Sequence, residues 1–420
     1  MTTAPAAAAP VTLASLLSLR DFRLFLTGRF FGSVATQIQS VAIGWQVYEI
    51  TKSPMALGFV GLAQFLPMVI LLLPAGDIAD RVDRRLIAFL SYLVQGVSVA
   101  LLALFTWTGI VEHAIWPIYL VLVIFGAARA FSGPATRAYV PLLVSKEQLP
   151  RGIAVSSSTF QVATIGGPAL GGFIYVAGPL VAYAICFTLF VGSAFAFFAI
   201  GTRSVIAPAD PALSAFGRVT AGLRYIFKKP IVLGAVSLDL FAVLLGGAAA
   251  MMPIFAADIL HVGPAGLGLL RSGPALGAVL VNFLLIAMPL QRHTGYVMFA
   301  CVAVFGVATI VFGLSENFIL SLGALLVMGG ADMVSVYVRS TLIPLATPPE
   351  MLGRVSAVDM LFISASNELG EFESGVMAGL LGTVPSVVIG GLGTIGVVAL
   401  WMYLFPALRK VDRLMDVKPD

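Results

Sequence analysis

Ten ionisable side chains stand inside stretches that are otherwise almost wholly apolar: Arg29, Arg129, Asp239, Arg271, Asp332, Arg339, Asp359, Glu368, Glu371 and Glu373. Placed in hydrocarbon, each costs on the order of a few kcal/mol unless it faces protein or water. Their chemistry is that of moving charge. Glu368 and Glu371, three residues apart on one helical face, would crowd two negative charges, so one of them would hold a proton near neutral pH. Alternatively the acidic stretch "NELGEFES" reaches the outer surface and is simply hydrated. Asp239 falls near mid-membrane and reads as functional, and Asp359 joins it as a candidate proton carrier. Arg29 and Arg339 lie near helix ends and read as snorkelling to the surface. Arg271 lies deeper and could pair with an acid on the same stretch as Glu368.

The elements that must hold these groups are membrane helices. The chain of 420 residues is 59% hydrophobic and 10% charged, with mean hydropathy +1.02, against about 25% charged for soluble domains. Twelve spans are predicted, roughly 22–48, 54–78, 85–108, 114–138, 151–177, 179–201, 231–257, 265–289, 294–314, 317–342, 352–380 and 383–408. The long connection 202–230 divides them into bundles at 21–201 and 231–408. Phe216, Val219, Leu223, Ile226 and Phe227 in that connection suit a short interfacial helix, although a plain linker reads nearly as well. Residues 1–20 lack a basic start and read as a disordered lead-in rather than a signal peptide. Residues 409–420 read as a tail. With the N-terminus in the cytoplasm, only Lys52, Arg129 and Arg271 of the 24 Lys and Arg fall away from that side or its helix ends. Both termini are therefore expected in the cytoplasm, and the basic balance reflects topology and anionic lipid rather than nucleic acid.

The two halves repeat. "PLLVSKEQLPRGIAV" from Pro141 and "PLATPPEMLGRVSAV" from Pro344 align at an offset of 203 residues. The same register lays Gly126 on Gly329, Gly167 on Gly370 and Gly172 on Gly375. Two parallel six-helix halves are a transporter architecture. The register also lays Arg129 over Asp332, opposite charges at matching depth, which suit either a gate or a static ion pair across a central cleft. Spans 3, 6, 9 and 12 carry no interior charge and can face lipid, which leaves spans 1, 4, 7, 8, 10 and 11 to line a polar cavity.

Three motifs then carry a resemblance. "GDIADRVDRR" supplies Gly76, Asp80, Arg81, Arg84 and Arg85 between spans 2 and 3, with Asp83 where a second glycine is usual. "RAFSG" begins at Arg129 on span 4. "GPALGG" supplies Gly167, Pro168, Gly171 and Gly172 on span 5. Together they resemble the major facilitator superfamily. The stretches "WQVYEITKSPMALGFVG", "GLLRSGPALGA" and "PPEMLGRVSAV" are similar to its branch of enterobactin and macrolide-efflux-type exporters. The resemblance implies an all-α integral membrane fold of twelve helices in two pseudo-symmetric bundles. It implies a bacterial inner-membrane exporter driven by proton antiport and working by alternating access. It implies that the inner-loop motif latches the inner face in the outward-facing state, and that the span-5 glycines form a close, bent antiporter contact.

No covalent chemistry is expected. His113, His261 and His293 are dispersed and Cys186 and Cys301 are isolated, so no metal, disulfide or catalytic constellation emerges. No P-loop is present, so ATP drive is not expected. The expected partners are a small-molecule substrate, protons and membrane lipids, with the chain acting as a monomer and without a cofactor. Uptake, lysophospholipid flipping and a non-transporting membrane sensor on the same fold stay open.

Overall fold

The structure, a computed structural model, describes residues 12–137, 139–203 and 215–417. Twelve long helices run back and forth: α1 (Arg20–Thr51), α2 (Pro54–Arg81), α3 (Arg84–Trp107), α4 (Trp116–Arg137), α5 (Leu149–Tyr175), α6 (Pro179–Phe198), α7 (Pro230–Gly246), α8 (Gly263–Ala287), α9 (Thr294–Leu314), α10 (Phe318–Ala346), α11 (Pro349–Leu381) and α12 (Thr383–Leu404). The protein is an all-α, multi-pass membrane protein. Among the described residues nine helices are long and apolar enough to cross a membrane by composition alone. The three that are not, α1, α5 and α11, carry charges or runs of Ser, Thr and Gln, the composition of helices that face an aqueous cleft rather than lipid.

Local chemistry sets the helix ends. Proline occupies the first turn of α2, α5, α6, α7, α8 and α11, where its missing N–H costs nothing. Ser53 caps the N–H of Ala56, and Asn317 caps those of Ile319 and Leu320. Gly178 (φ 103°) and Gly382 (φ 93°) turn the chain between α5 and α6 and between α11 and α12, a conformation that strains any L side chain. Helix α7 breaks after Gly246. The chain continues through a 3-10 turn, Ala248–Met251, and a π turn, Phe255–Ile259.

We call the end carrying residue 203 and Lys229 the linker end, and the end carrying Lys52 and Gly178 the hairpin end. One apolar core runs through the first bundle and continues at the hairpin end into Met251, Phe255, Leu267, Phe312 and Ala378 of the second. A separate core, containing Ile226, Val236, Met298, Val338 and Val358, fills the linker half of the second bundle. The bundles are thus packed together toward the hairpin end.

Three stretches read from the sequence gain detail. The residues 1–11 of the expected disordered lead-in lie outside the described residues, but Leu13–Ser18 form a helix that buries Leu16. The connection does contain a helix, Ala215–Lys228, yet it docks on the second bundle: Val219, Leu223 and Ile226 join that core, and Gly222 sits against the Arg354 carbonyl. Phe227 is turned away and 65% exposed, and the side chain of Phe216 lies outside the described residues. The C-terminal segment is not a free tail. Asp412 accepts from the His293 N–H (2.8 Å), and its carbonyl accepts from Thr294 (3.1 Å), which caps α9.

At the linker end Asp21 fastens the start of α1 to the end of α6. Partial burial opposes its ionisation, but the Thr202 hydroxyl and the N–H groups of Gly201 and Thr202 donate to it, and with Arg20 nearby they hold its carboxyl below the ordinary range. A depressed value means the tie is present above the ordinary carboxylate range and is lost as pH falls through the lowered one. Asp21→Asn should cost about 1 kcal/mol at neutral pH, discounted for solvent screening. In thermal melts of purified protein, the gap from wild type should close as the pH is lowered.

Candidate functional site

Small residues bring the helices together, and their pairing has a pattern. On α4 Gly126 lies against the Gln64 carbonyl of α2, and on α10 Gly329 lies against the Pro274 carbonyl of α8. Between bundles, Gly172 of α5 lies against Pro264 and Gly268 of α8, and Gly375 of α11 lies against Pro54 and Gly58 of α2. Pro264 minus Pro54, Gly268 minus Gly58 and Pro274 minus Gln64 each give 210. The second spans therefore repeat at 210, not at the 203 of the later spans. The two cross-bundle seams are pseudo-symmetric copies of one contact. Without lipid-excluded hydrophobic gain, such seams rest on close backbone approach and dispersion.

Of the motif on α5, Gly167 and Gly171 face α1 at Gln37 and Ile38, whereas the Pro168 carbonyl and Gly172 face Gly268 of α8. The motif thus sits between one helix of its own bundle and one of the other. Toward the linker end α5 loses this cover. Ile153, Phe160 and Val162 are exposed, and a cavity of about 560 Å³ opens beside Phe30, Ala154, Val155, Ser158, Thr159 and Val162. The cross-bundle seams lie toward the hairpin end, and this cavity is walled by the first bundle and the helix Leu13–Ser18 alone. Also at the hairpin end, the Tyr48 hydroxyl of α1 donates to Asp258 on the π turn, and Tyr175 donates to Glu49 at 3.3 Å.

The buried charges form two layers. One spans the bundles. Arg129 of α4 lies 3.8 Å from Glu368 of α11 and donates to the Gln64 side chain of α2 at 3.5 Å. Arg271 of α8 donates to Ser40 of α1 and lies in the field of Glu371 and Glu368. Glu371 itself packs on Gly61 of α2. Glu368 and Glu371 are therefore half-buried against the facing bundle, while Asn367 and Leu369 beside them are exposed. The second layer lies within the second bundle. Arg339 of α10, 3% exposed, donates to the carboxylate of Asp239 of α7, and Asp359 of α11 is 3.8 Å away. Asp332 belongs to this layer, in the field of Asp239 and Arg339. Among the described residues no ion pair joins Arg129 to Asp332.

Two arginines expected to snorkel do not. Arg339 is sealed in the second layer, and Arg29 donates to Ser156 of α5 (2.9 Å) and lies over the Phe160 ring. Arg339 is the site residue that sequence reasoning missed, and its spacing of seven from Asp332 was the signal available.

The inner-loop motif stands at the linker end. Among the described residues nothing lies within 4 Å of where a Gly76 side chain would begin. The side chain of Asp80 lies outside the described residues, and Arg81 is exposed. Arg84 is half-buried. Arg85 donates to the Ile200 carbonyl (2.9 Å) and lies over Phe198, which ties α3 to the end of α6. Asp83, standing where a glycine was expected, caps the Arg85 N–H at 3.0 Å and so starts α3.

Two pseudo-symmetric six-helix bundles around a cleft with charged groups at mid-depth define a membrane transporter of the major facilitator type. The chain belongs to the transmembrane secretion effector family of that superfamily, whose model matches residues 11–418. It is 23% identical to the enterobactin exporter of Citrobacter koseri over 393 residues, 93% of this chain and 92% of that one. It is 22% identical to the enterobactin exporter of Escherichia coli strains over the same shares. Among solved structures it superposes on the nucleoside transporter NupG with TM-score 0.74 at 11% identity, covering 92% of this chain and all of that one. On a bacterial homologue of ferroportin the TM-score is 0.68 at 16% identity, covering 93% and 99%. The family and its relatives transport; they are not enzymes.

Proposed function

We propose that this transporter exports a siderophore-like or drug-like small molecule across the bacterial inner membrane, in exchange for protons, by alternating access. The observation that carries the reading is the Arg129–Glu368 pair, which spans the bundles at mid-depth. A contact of this kind must be remade whenever the bundles rock, so substrate can compete for it. Arg271 and Glu371 complete that layer as substrate or gate groups. Carboxylates inside the second bundle, Asp239 and Asp359 among them, couple the cycle to protons. The glycine and proline contact on α5 is the hinge or seal of an antiporter, and the relatives that are enterobactin exporters support the export direction. The positive-inside distribution favours the linker end as the cytoplasmic one. Contact with membrane lipids and action as a monomer complete the reading.

The test is proton movement in proteoliposomes carrying a pH gradient and a pH-sensitive dye. Siderophores, macrolides, lipophilic cations and lysophospholipids are added in turn. One class should dissipate the gradient in wild type, and Glu368→Gln should slow that flux at least about tenfold, the rate equivalent of 1.4 kcal/mol. Solute movement with no proton flux for any class would sink the antiport reading.

A further inference from the structure

The cavity beside α5 stands apart from both charge layers, and none of their residues lines it. Its volume, about 560 Å³, falls within the roughly 300–1,000 Å³ of ligand pockets. Its wall is ordered along the helix. On α5 the lining residues Arg151, Val155, Ser158 and Val162 follow one another at steps of four and three, with Thr159 beside Ser158, so they form one stripe. The cation stands nearest the linker end, the hydroxyls come two turns deeper, and Val162 lies deepest. Phe30 of α1 continues the same order on the facing wall. Thr27 and Arg23 lie on its stripe, at steps of three and four toward the linker end, and both are exposed. Arg29 joins α1 to α5 at this level through Ser156 and the Phe160 ring, so the two stripes are held side by side. Leu13 completes the wall from the short helix Leu13–Ser18, which the buried Leu16 anchors to the first bundle.

Depth and chemistry select the occupant. Val162 stands eleven residues beyond Arg151, about 16 Å along the helix. Half of a hydrocarbon core is about 15 Å. With Arg151 at headgroup level, the stripe therefore runs to mid-membrane, the reach of one acyl chain. Water suits this wall poorly, because Leu13, Phe30, Val155 and Val162 offer it no hydrogen bond. A lipid suits each level in turn. Arginines near the surface attract an anionic headgroup, hydroxyls can donate to its oxygens, and apolar side chains meet the acyl chain.

We propose that this cavity binds one anionic phospholipid of the leaflet at the linker end, with its phosphodiester against Arg151 and Arg23 and one acyl chain along Phe30, Val155 and Val162. The site deepens the lipid contact of the reading above and rests on it, not on proton coupling. No covalent bond changes.

The test counts lipids retained by the purified full-length protein in native mass spectrometry, with no substrate and no gradient. The probes are dioleoylphosphatidylglycerol, which is anionic, and dioleoylphosphatidylcholine, which has the same chains and no net charge. Wild type should retain one phosphatidylglycerol, and phosphatidylcholine at least about fivefold more weakly. Glycerophosphate, which has no chain, should not displace the lipid. Arg151→Gln should weaken phosphatidylglycerol about fivefold, and Arg23→Gln with Arg151→Gln about thirtyfold, the equivalent of about 1 kcal/mol for each cation near the surface. Both should leave phosphatidylcholine unchanged. Ser158→Phe fills the cavity and keeps the cations, so it should weaken both lipids. Leu170→Phe, at an exposed position of α5 outside the cavity, should weaken neither. Equal retention of the two lipids by wild type overturns the assignment, as does full retention in the double arginine variant or in Ser158→Phe. The arginine variants change only exposed side chains, so they decide the matter even if Ser158→Phe fails to fold. Displacement of the lipid by the solute that moves in the vesicle assay would make the cavity a solute entrance and also overturn it. Solute transport without proton flux overturns antiport alone and leaves the lipid count as it is.

Discussion

Gly268→Val is expected to stop net transport while leaving the helices intact. A side-chain carbon at Gly268 would lie 2.5 Å from the Pro168 carbonyl oxygen and 3.1 Å from the Ala169 Cα, both backbone atoms that no rotamer change can move aside. Either α5 and α8 part, or one of them shifts bodily. Overpacking of this kind costs about 1–3 kcal/mol, and here the cost falls only on the state in which the hairpin end is closed. The population of that state should drop about 5–150-fold. Gly58→Val should act alike on the twin seam, because a carbon there would crowd the Phe372 carbonyl (3.1 Å) and Gly375 (3.2 Å). The measurement is maleimide labelling of Leu57→Cys with both native cysteines removed. Leu57 is 4% exposed at the hairpin end of α2, so labelling should be slow in the parent and about tenfold or more faster in either glycine variant. Equal labelling would mean that the seams do not set the equilibrium.

The pair of seams shows what the sequence could carry. Helix count and bundle division follow from apolar runs and one long polar connection, signals that the bilayer imposes on any span. The repeat was visible from Pro141 and Pro344, but only in one register. The second spans follow an offset of 210, seven residues and two helical turns away, so a single alignment hides that Gly58 and Gly268 are the same contact. Pairing of charges was harder still. Placing Arg129 over Asp332 by register assumed that matched positions meet across the axis, whereas Arg129 reaches Glu368 and Asp332 stays within its own bundle. Counting charges also understated α5. Its polarity is carried by Ser, Thr and Gln, which cost less to bury than ions and so leave a fainter trace. Position along a helix misled for Arg339 as well. A residue two turns from a helix end can snorkel to the surface only if no acid on a facing helix reaches it first, and that depends on tertiary packing.

Arg339 also carries the second large expectation. Arg339→Ala should cost about 3–5 kcal/mol, the usual penalty for stranding the partner of a buried ion pair. Asp239 would lose its bonded guanidinium and Asp359 its neighbour, in a layer already short of positive charge. The protein should melt far below wild type in detergent, or fail to accumulate in the membrane. Neutralising both partners, Asp239→Asn with Arg339→Gln, should recover most of the melting temperature, because an amide pair of similar shape carries a smaller desolvation cost and can still hydrogen-bond. Stability and coupling then come apart. The double variant should fold, yet its proton flux should differ from wild type, since no guanidinium remains to set the charge of the layer that Asp332 shares. If the double variant is as unstable as the single, the contribution of Arg339 is packing of its long side chain rather than charge. If Arg339→Ala melts with wild type, the pair is not holding α7 to α10, and the close contact between these helices must rest on the apolar residues around it.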